Sequence, residues 1–187
     1  KGHEIAWDQF ILNKGINIES PSNDGSILDI ETSGNDIQIK NDKVQLKIDS
    51  NSGQITSWVF EDNEITNQPI RPNFWRPPTD NDLGNGMDKW AKLWQDATYN
   101  YTAELVKNPQ IIKEHVIYAV HYKLPNNEAD VIVNYTIARN GFLKVTLNYN
   151  PNIKELPNIP RLGMYMTLNK NFADVSWYGK GPSESYW

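Results

Sequence analysis

"DVIVNYTIARNGFLKVTLNYN", residues 130–150, is the stretch that decides the fold. A run of alternating apolar and polar residues precedes its Arg-Asn-Gly triplet, and a second such run follows it. Alternation with a period of two predicts strands that have one buried and one wet face. Because an Asn-Gly pair tolerates the positive φ values of a type I′ turn, we expect a two-residue hairpin at Asn140-Gly141.

The same pattern recurs along most of the chain, with short turns between the runs. Asn41-Asp42 is typical of a hairpin turn between two of them. About ten mostly antiparallel strands and one short helix predict an all-β sandwich or barrel. The loop at 19–26 is taken as a domain boundary, and 151–160, with three prolines, as a surface connection. The other predicted strands cover residues 4–12, 36–40, 43–49, 54–60, 115–124, 160–169 and 174–182.

Composition limits the possible function classes. The 187 residues fit one domain, or one domain with a short attached piece, and the seven Trp and nine Tyr argue against disorder. A net charge of −5 without a basic run predicts no nucleic-acid partner. The absence of Cys excludes a disulfide framework. No apolar run approaches the ~18 residues of a membrane span, and residues 1–20 do not resemble a signal peptide. The composition therefore leaves the redox compartment open.

One polar segment interrupts the strand pattern: "NFWRPPTDNDLGNGMDKWAKLWQDA", residues 73–97. Its second half predicts a helix whose apolar stripe faces a core, with Asp88 or Asn85 as the capping residue. The stripe is formed at i, i+3, i+4 and i+7 by Trp90, Leu93, Trp94 and Ala97.

Asp80 and Asp82 are the candidates for acid–base chemistry. In an extended segment they would share a face, as the paired carboxylates of a glycosidase require. However, Arg76 is a natural ion-pair partner that would keep a carboxylate ionised, which is wrong for a general acid. Asp and Asn in loops also commonly serve as turn residues. The residues themselves therefore predict no catalytic pair.

No metal site is predicted either. The stretch "DNDLGNGMD" fails the spacing of a calcium-binding loop, since Gly84 comes at position 5 and Ala91 at position 12. His115 and His121 share a face of one predicted strand but lie roughly 20 Å apart, and His3 is remote from both. The residues themselves therefore predict a β-sandwich with an unusual polar segment, which is more typical of a binding or scaffolding module than of a stand-alone enzyme.

Three motifs resemble the large β-galactosidases of glycoside hydrolase family 2. "FWRPPTDNDLGN" at 74–85 is similar to the family's F-x-R-[AP]-P-T-D-N-D-x-G segment, and the "LWQDA" that ends the helix follows at the family's distance. "YGKGPSESY" at 178–186 resembles G-x-G-P-x-E-[SN]-Y, and "GHEIAWDQF" at 2–10 resembles the strand that closes the preceding immunoglobulin-like domain.

This resemblance implies a domain organisation. Residues 1–20 would be the last strand of the immunoglobulin-like domain and a linker. Residues 21–187 would be the N-terminal portion of the C-terminal antiparallel β-supersandwich, which is galactose mutarotase-like. Both catalytic Glu residues would belong to a preceding (β/α)₈ barrel, and magnesium and sodium to other domains, so no catalytic residue, metal ligand or cofactor is expected here. The chain would be an excised part of a homo-oligomeric enzyme acting on β-galactosides.

The resemblance also implies a role for the polar segment. In the family this loop reaches toward the mouth of the barrel's active site, and a Gly at the position of Gly84 lets it swing. Its two glycines and flanking asparagine predict few buried contacts, so the segment from Leu83 to Met87 is expected to be the most mobile long segment. The acidic cluster would brace the base of the loop, and the Trp helix would anchor its other end. The implied substrate-pocket loop comprises Arg76, Asp80, Asn81, Asp82, Gly84 and Asn85.

A second hypothesis comes from another class of protein. The chain would be a free-standing carbohydrate-binding or mutarotase-like module with no barrel. A mutarotase needs a Glu base and a His acid that face one pocket, and Glu184 is the candidate base. Its neighbours match the galactosidase motif better, which favours the first hypothesis.

Overall fold

The computed structural model describes residues 24–66 and 68–174. The predicted strand at 4–12 lies outside these residues, as do most of 174–182 and the part of the boundary loop that precedes Asp24. The predictions that fall on those stretches are therefore not tested by the structure.

The first sheet has five strands in sequential antiparallel order, as expected for strands joined by short turns. Its strands are β1 (Asp29–Ser33), β2 (Asp36–Lys40), β3 (Val44–Asp49), β4 (Ile55–Phe60) and β5 (Asn63–Thr66). Alternate residues of β2 and β3 are buried, which confirms the prediction from period-two alternation. The turn at Asn41-Asp42 joins these two strands, and the Asn41 side chain accepts hydrogen bonds from the backbone N–H groups of Lys43 and Val44.

The polar segment follows the short strand β6 (Arg71–Asn73) and contains three helices instead of the single predicted one. These are α1 (Asp80–Gly84), α2 (Met87–Trp90) and α3 (Lys92–Tyr99). Gly86 separates the first two because its φ of 73° places it in the left-handed region, where a right-handed helix cannot continue. The longest of the described helices has eight residues, so none of them could span a membrane.

The second sheet comprises β7 (Thr102–Ile112), β8 (His115–Lys123), β9 (Ala129–Ala138) and β10 (Leu143–Pro151), in the order β10-β9-β8-β7. Three of these strands match the predictions. β7 does not, since Pro109 interrupts its pattern. It is an edge strand with two register shifts, and edge strands and bulges are where a sheet tolerates proline. The connection at 152–160 has no regular structure, as predicted, and β11 (Gly163–Tyr165), shorter than the predicted 160–169, pairs with β6.

The two larger sheets share one core. The core cluster contains Leu46 and Ile48 from the first sheet and Tyr118 and Val133 from the second. Gly53, in the turn between β3 and β4, shows how closely the layers approach, because a Cβ there would lie 2.6 Å from Val120 Cγ2. The predicted all-β antiparallel sandwich is confirmed.

The hairpin between β9 and β10 differs from the predicted two-residue turn. Ile137 pairs with Leu143, and Gly141 N–H donates to the Ala138 carbonyl at 3.0 Å. Three residues therefore form the loop, and only Gly141 has a positive φ, at 85°. This is the arrangement of a type I turn followed by a left-handed residue. A type I′ turn would have required a positive φ at Asn140 as well.

Candidate functional site

Buried contacts anchor the start of the polar segment. Phe74 and Trp75 are buried, and the Phe74 N–H donates to Thr98 Oγ1 at 2.9 Å. The Thr98 hydroxyl in turn donates to the Trp94 carbonyl, also at 2.9 Å. Thr98, on α3, thus connects this helix to Phe74, the residue that follows β6. The Phe74 N–H and the Thr98 hydroxyl both have hydrogen-bond partners.

An aromatic cluster fixes the other end. The ring centroids of Phe74, Trp94 and Tyr149 lie 5.9 to 6.2 Å apart in tilted arrangements, which are favourable for aromatic pairs. Trp94 Nε1 donates to the Pro157 carbonyl at 3.0 Å. The prediction from helical spacing that Trp94 faces the core is therefore confirmed. Trp90, predicted on the same buried stripe, is 39% exposed because α2 ends there and the helical register is broken.

Arg76, Thr79 and Asp82 form a clamp at the base of α1. Arg76 donates two hydrogen bonds to Asp82, at 2.5 Å to Oδ2 and 3.0 Å to Oδ1. Thr79 is the N-cap: its Oγ1 accepts from Asp82 N–H, while its own N–H donates to Asp82 Oδ2 at 2.8 Å. This reciprocal capping box satisfies two backbone donors at the start of α1. The predicted pairing of Arg76 with the acidic cluster is confirmed, and its partner is Asp82.

The clamp also controls the charge of Asp82. Hydrogen bonds from the Arg76 guanidinium, and next from the Thr79 N–H, hold the pKa of Asp82 well below its usual range. Both bonds favour the ionised carboxylate. Asp82 therefore remains a carboxylate through the neutral range and cannot act there as a general acid.

The remaining predicted site residues lie on the outer side of α1. Asp80, Asn81, Gly84 and Asn85 are all exposed. Because Asp80 and Asp82 lie in a helix and not in an extended segment, residues i and i+2 do not face each other, and the predicted shared face is wrong. The predicted helix cap at Asn85 or Asp88 is also wrong. Asn85 is the C-cap of α1, and Asp88 lies within the first turn of α2.

The glycine with special backbone geometry is Gly86 and not Gly84. Gly84 belongs to α1 and has no atom within 4 Å of the position its Cβ would take, so other residues fit there. Gly86 has the left-handed backbone that favours glycine. The segment from Leu83 to Met87 is helical at both ends, and Met87 is buried. Its predicted scarcity of buried contacts is thus wrong at Met87.

Thr79 and Gly86 are absent from the sequence prediction. The pattern Thr-x-x-Asp before a helix is typical of a capping box and would have identified Thr79. Gly86 follows Asn85, and such an Asn-Gly pair is a turn signal that would have identified it, whereas Gly84 follows a leucine.

Metal-ligating side chains and cavities are the other features that could hold a ligand. In residues 24–66 and 68–174, no group of three or more His, Asp or Glu residues is placed to hold a metal ion. A cavity of about 550 Å³ opens beside the aromatic cluster, between Tyr149 and the connection at 152–159. None of the six residues of the implied substrate-pocket loop lines this cavity.

Comparison with known proteins identifies the family. Residues 40–187 match the family model described as beta-galactosidase small chain. The chain is 32% identical over 187 residues to a beta-galactosidase of Priestia megaterium, and 28% identical over 187 residues to one of Streptococcus thermophilus. In both matches the whole chain is covered but only 18% of the relative, so the chain spans less than a fifth of the relatives' length. The chain belongs to the beta-galactosidase small-chain family.

Proposed function

We propose that this chain is a non-catalytic sandwich portion of a β-galactosidase that hydrolyses terminal β-D-galactosyl bonds with retention. The family match over residues 40–187 carries the assignment to a β-galactosidase, and the clamp carries the non-catalytic part of the proposal. Retaining hydrolysis requires a carboxylic acid and a carboxylate about 5 Å apart. Asp82, one of the two candidate carboxylates, is held ionised by Arg76, and helical geometry turns Asp80 away from it. The acid and the nucleophile are then supplied by the part of the enzyme outside these residues.

The polar segment would form part of the wall of the substrate pocket in the complete enzyme. Its exposed surface carries Asp80, Asn81 and Asn85, whose side chains are suited to hydrogen-bond sugar hydroxyls. The clamp and the aromatic cluster hold both ends of this surface in place, as a binding site built from irregular structure requires. Other domains of the enzyme and a homo-oligomeric assembly remain the proposed partners, with magnesium and sodium bound elsewhere.

An assay on two matched samples tests this function. The complete polypeptide and the 187-residue chain would be compared on an activated aryl β-galactoside. We expect turnover by the complete enzyme and none by the chain beyond a mock purification. Turnover by the chain that is abolished by Asp80→Asn or Glu184→Gln would contradict the proposal, as would a complete polypeptide without activity.

One observation favours a free-standing carbohydrate-binding module as a second candidate. The cavity beside Tyr149 combines aromatic side chains with the amides of Asn152 and Asn158, a combination suited to a sugar ring. Titration of the chain with galactose, followed by Tyr and Trp fluorescence, tests this alternative. Saturable binding that Tyr149→Ala removes would support it, and no change up to millimolar sugar would exclude it.

A further inference from the structure

Arg71, Tyr99 and Tyr165 form a tyrosine–arginine stack on the surface. Arg71 lies opposite Tyr165 in the register of β6 and β11. Its guanidinium carbon is 4.9 Å from the centroid of the Tyr165 ring and 5.6 Å from that of Tyr99. One guanidinium nitrogen, Nη1, donates to the Thr98 carbonyl at 3.0 Å. Two rings and one hydrogen bond thus hold the cation in a defined orientation.

Most N–H donors of the Arg71 guanidinium have no acceptor in the part of the chain that the structure describes. A guanidinium carries five N–H donors. Within residues 24–66 and 68–174, the Thr98 carbonyl is the acceptor that Arg71 reaches, and no carboxylate pairs with it. Arg76 differs, because Asp82 accepts two of its donors. A guanidinium that is already oriented and still has parallel N–H groups available is suited to bind a carboxylate through two hydrogen bonds.

Two exposed tyrosines flank this cation, and exposed apolar side chains follow along the chain after β11. Tyr99 is 60% exposed and Tyr165 is 47% exposed. The segment that continues from β11 crosses from β6 toward β5, where Asn169 N–H donates to the Ile65 carbonyl. Tyr, Met and Arg are the residue types enriched in the cores of protein interfaces. Five large hydrophobic side chains of this segment are exposed, namely Leu162, Tyr165, Met166, Leu168 and Phe172.

We propose that the tyrosine–arginine stack and the exposed side chains of 162–172 form a docking surface. Its occupant is a carboxylate-bearing segment of the same enzyme that lies outside these 187 residues. The donors of Arg71 that have no acceptor among the described residues define the charge of the occupant, and the exposed apolar side chains along 162–172 favour a macromolecular segment. This inference rests on the proposed function, in which a chain spanning 18% of its relatives' length is one part of a larger enzyme.

Site-specific photo-cross-linking in the complete enzyme tests the docking surface. Tyr165 would be replaced by p-benzoylphenylalanine, and the cross-linked peptides would be identified by mass spectrometry after irradiation. Thr146, exposed on β10, provides the control position. We expect position 165 to cross-link within one polypeptide to a segment that contains Asp or Glu and lies outside residues 1–187. A cross-link to residues 175–187, a cross-link to a second copy, or no cross-link above the Thr146 control would each overturn the proposal.

A charge exchange tests the role of Arg71. We expect Arg71→Glu to lower the cross-linking yield from position 165 by about tenfold or more, since like charges would face each other. Replacing the cross-linked carboxylate by Arg should restore the yield in the Arg71→Glu background. If Arg71→Glu does not fold by circular dichroism, Arg71→Gln replaces it, and an unchanged yield in that variant overturns the proposal. Galactosidase activity of the same samples separates the two proposals. Activity without cross-linking would contradict only the docking surface, and cross-linking without activity would contradict only the proposed function.

Discussion

The β9–β10 hairpin and the polar segment, residues 73–97, are determined by interactions of different range. The hairpin pairs nine residues of each strand in continuous register, so neighbouring positions along the chain specify it. The polar segment has helices of five, four and eight residues, too short to be stable alone in water. Its conformation depends on partners distant in sequence, such as Pro157 for Trp94. Local patterns therefore specify the hairpin, whereas tertiary contacts specify the polar segment.

The largest expected effect is at the hairpin loop. Gly141→Val should destabilise the protein by about 3 kcal/mol, because a side chain is strained at positive φ and its Cβ would lie 2.5 Å from Phe60 Cδ2. Gly34→Val is the matched control, since Gly34 also has a positive φ, at 59°, but no atom within 4 Å of its Cβ position. Urea denaturation of both variants measures the difference. Equal losses would mean that backbone strain alone, and not contact with Phe60, makes glycine necessary at 141.

The next effect concerns the anchor of the polar segment. Thr98→Val preserves shape but leaves the buried Phe74 N–H without an acceptor, which should cost about 2 kcal/mol of unfolding free energy. Thr56 is the control, because its hydroxyl donates to the Lys47 carbonyl at an exposed position where water can replace it. Thermal or urea unfolding of Thr98→Val and Thr56→Val compares them. A similar, small change in both would show that the segment does not depend on the Thr98 bonds.

A smaller effect, dependent on pH, is expected at the clamp. The folded-state pKa of Asp82 is depressed, so its contribution to stability is present above its ordinary pKa of 3.8 and is lost as the pH falls below that value. The stability difference between the parent and Asp82→Asn should therefore be constant from pH 7 to about 5 and decrease toward pH 2. Asp80→Asn, at an exposed position of the same helix, is the control. A difference that does not change with pH would show that the Arg76 pair does not stabilise the ionised form.

The sequence predicts the elements that local patterns specify better than those that depend on tertiary contacts. The sandwich and most long strands follow from period-two alternation, because a strand with one wet face must alternate. β7 does not show this alternation, since Pro109 and two register shifts interrupt it. In the polar segment the sequence predicts the Arg76 ion pair and the Trp94 anchor, which rest on charge and on helical spacing. Helical spacing does not predict the break at Gly86, because Met87 and Trp94, which both follow it, are positioned by the core and not by neighbours in sequence.

The smallest effect on stability, and the most informative about function, is expected at the two glycines of the polar segment. Gly84→Ala should leave the melting temperature nearly unchanged, because Gly84 is helical and its Cβ position is open. Gly86→Ala should lower it by a few degrees, because alanine at φ 73° costs about 1 kcal/mol. If the segment moves around bound sugar, as the family resemblance implies, Gly84→Ala in the complete enzyme should change both KM and kcat by restricting the backbone that moves. Steady-state kinetics on an aryl galactoside, beside melting curves, separates stability from function. Kinetics of Gly84→Ala equal to those of the parent would mean that α1 is a rigid wall of the pocket, held by the Arg76–Asp82 pair, and that the loop does not act as a gate.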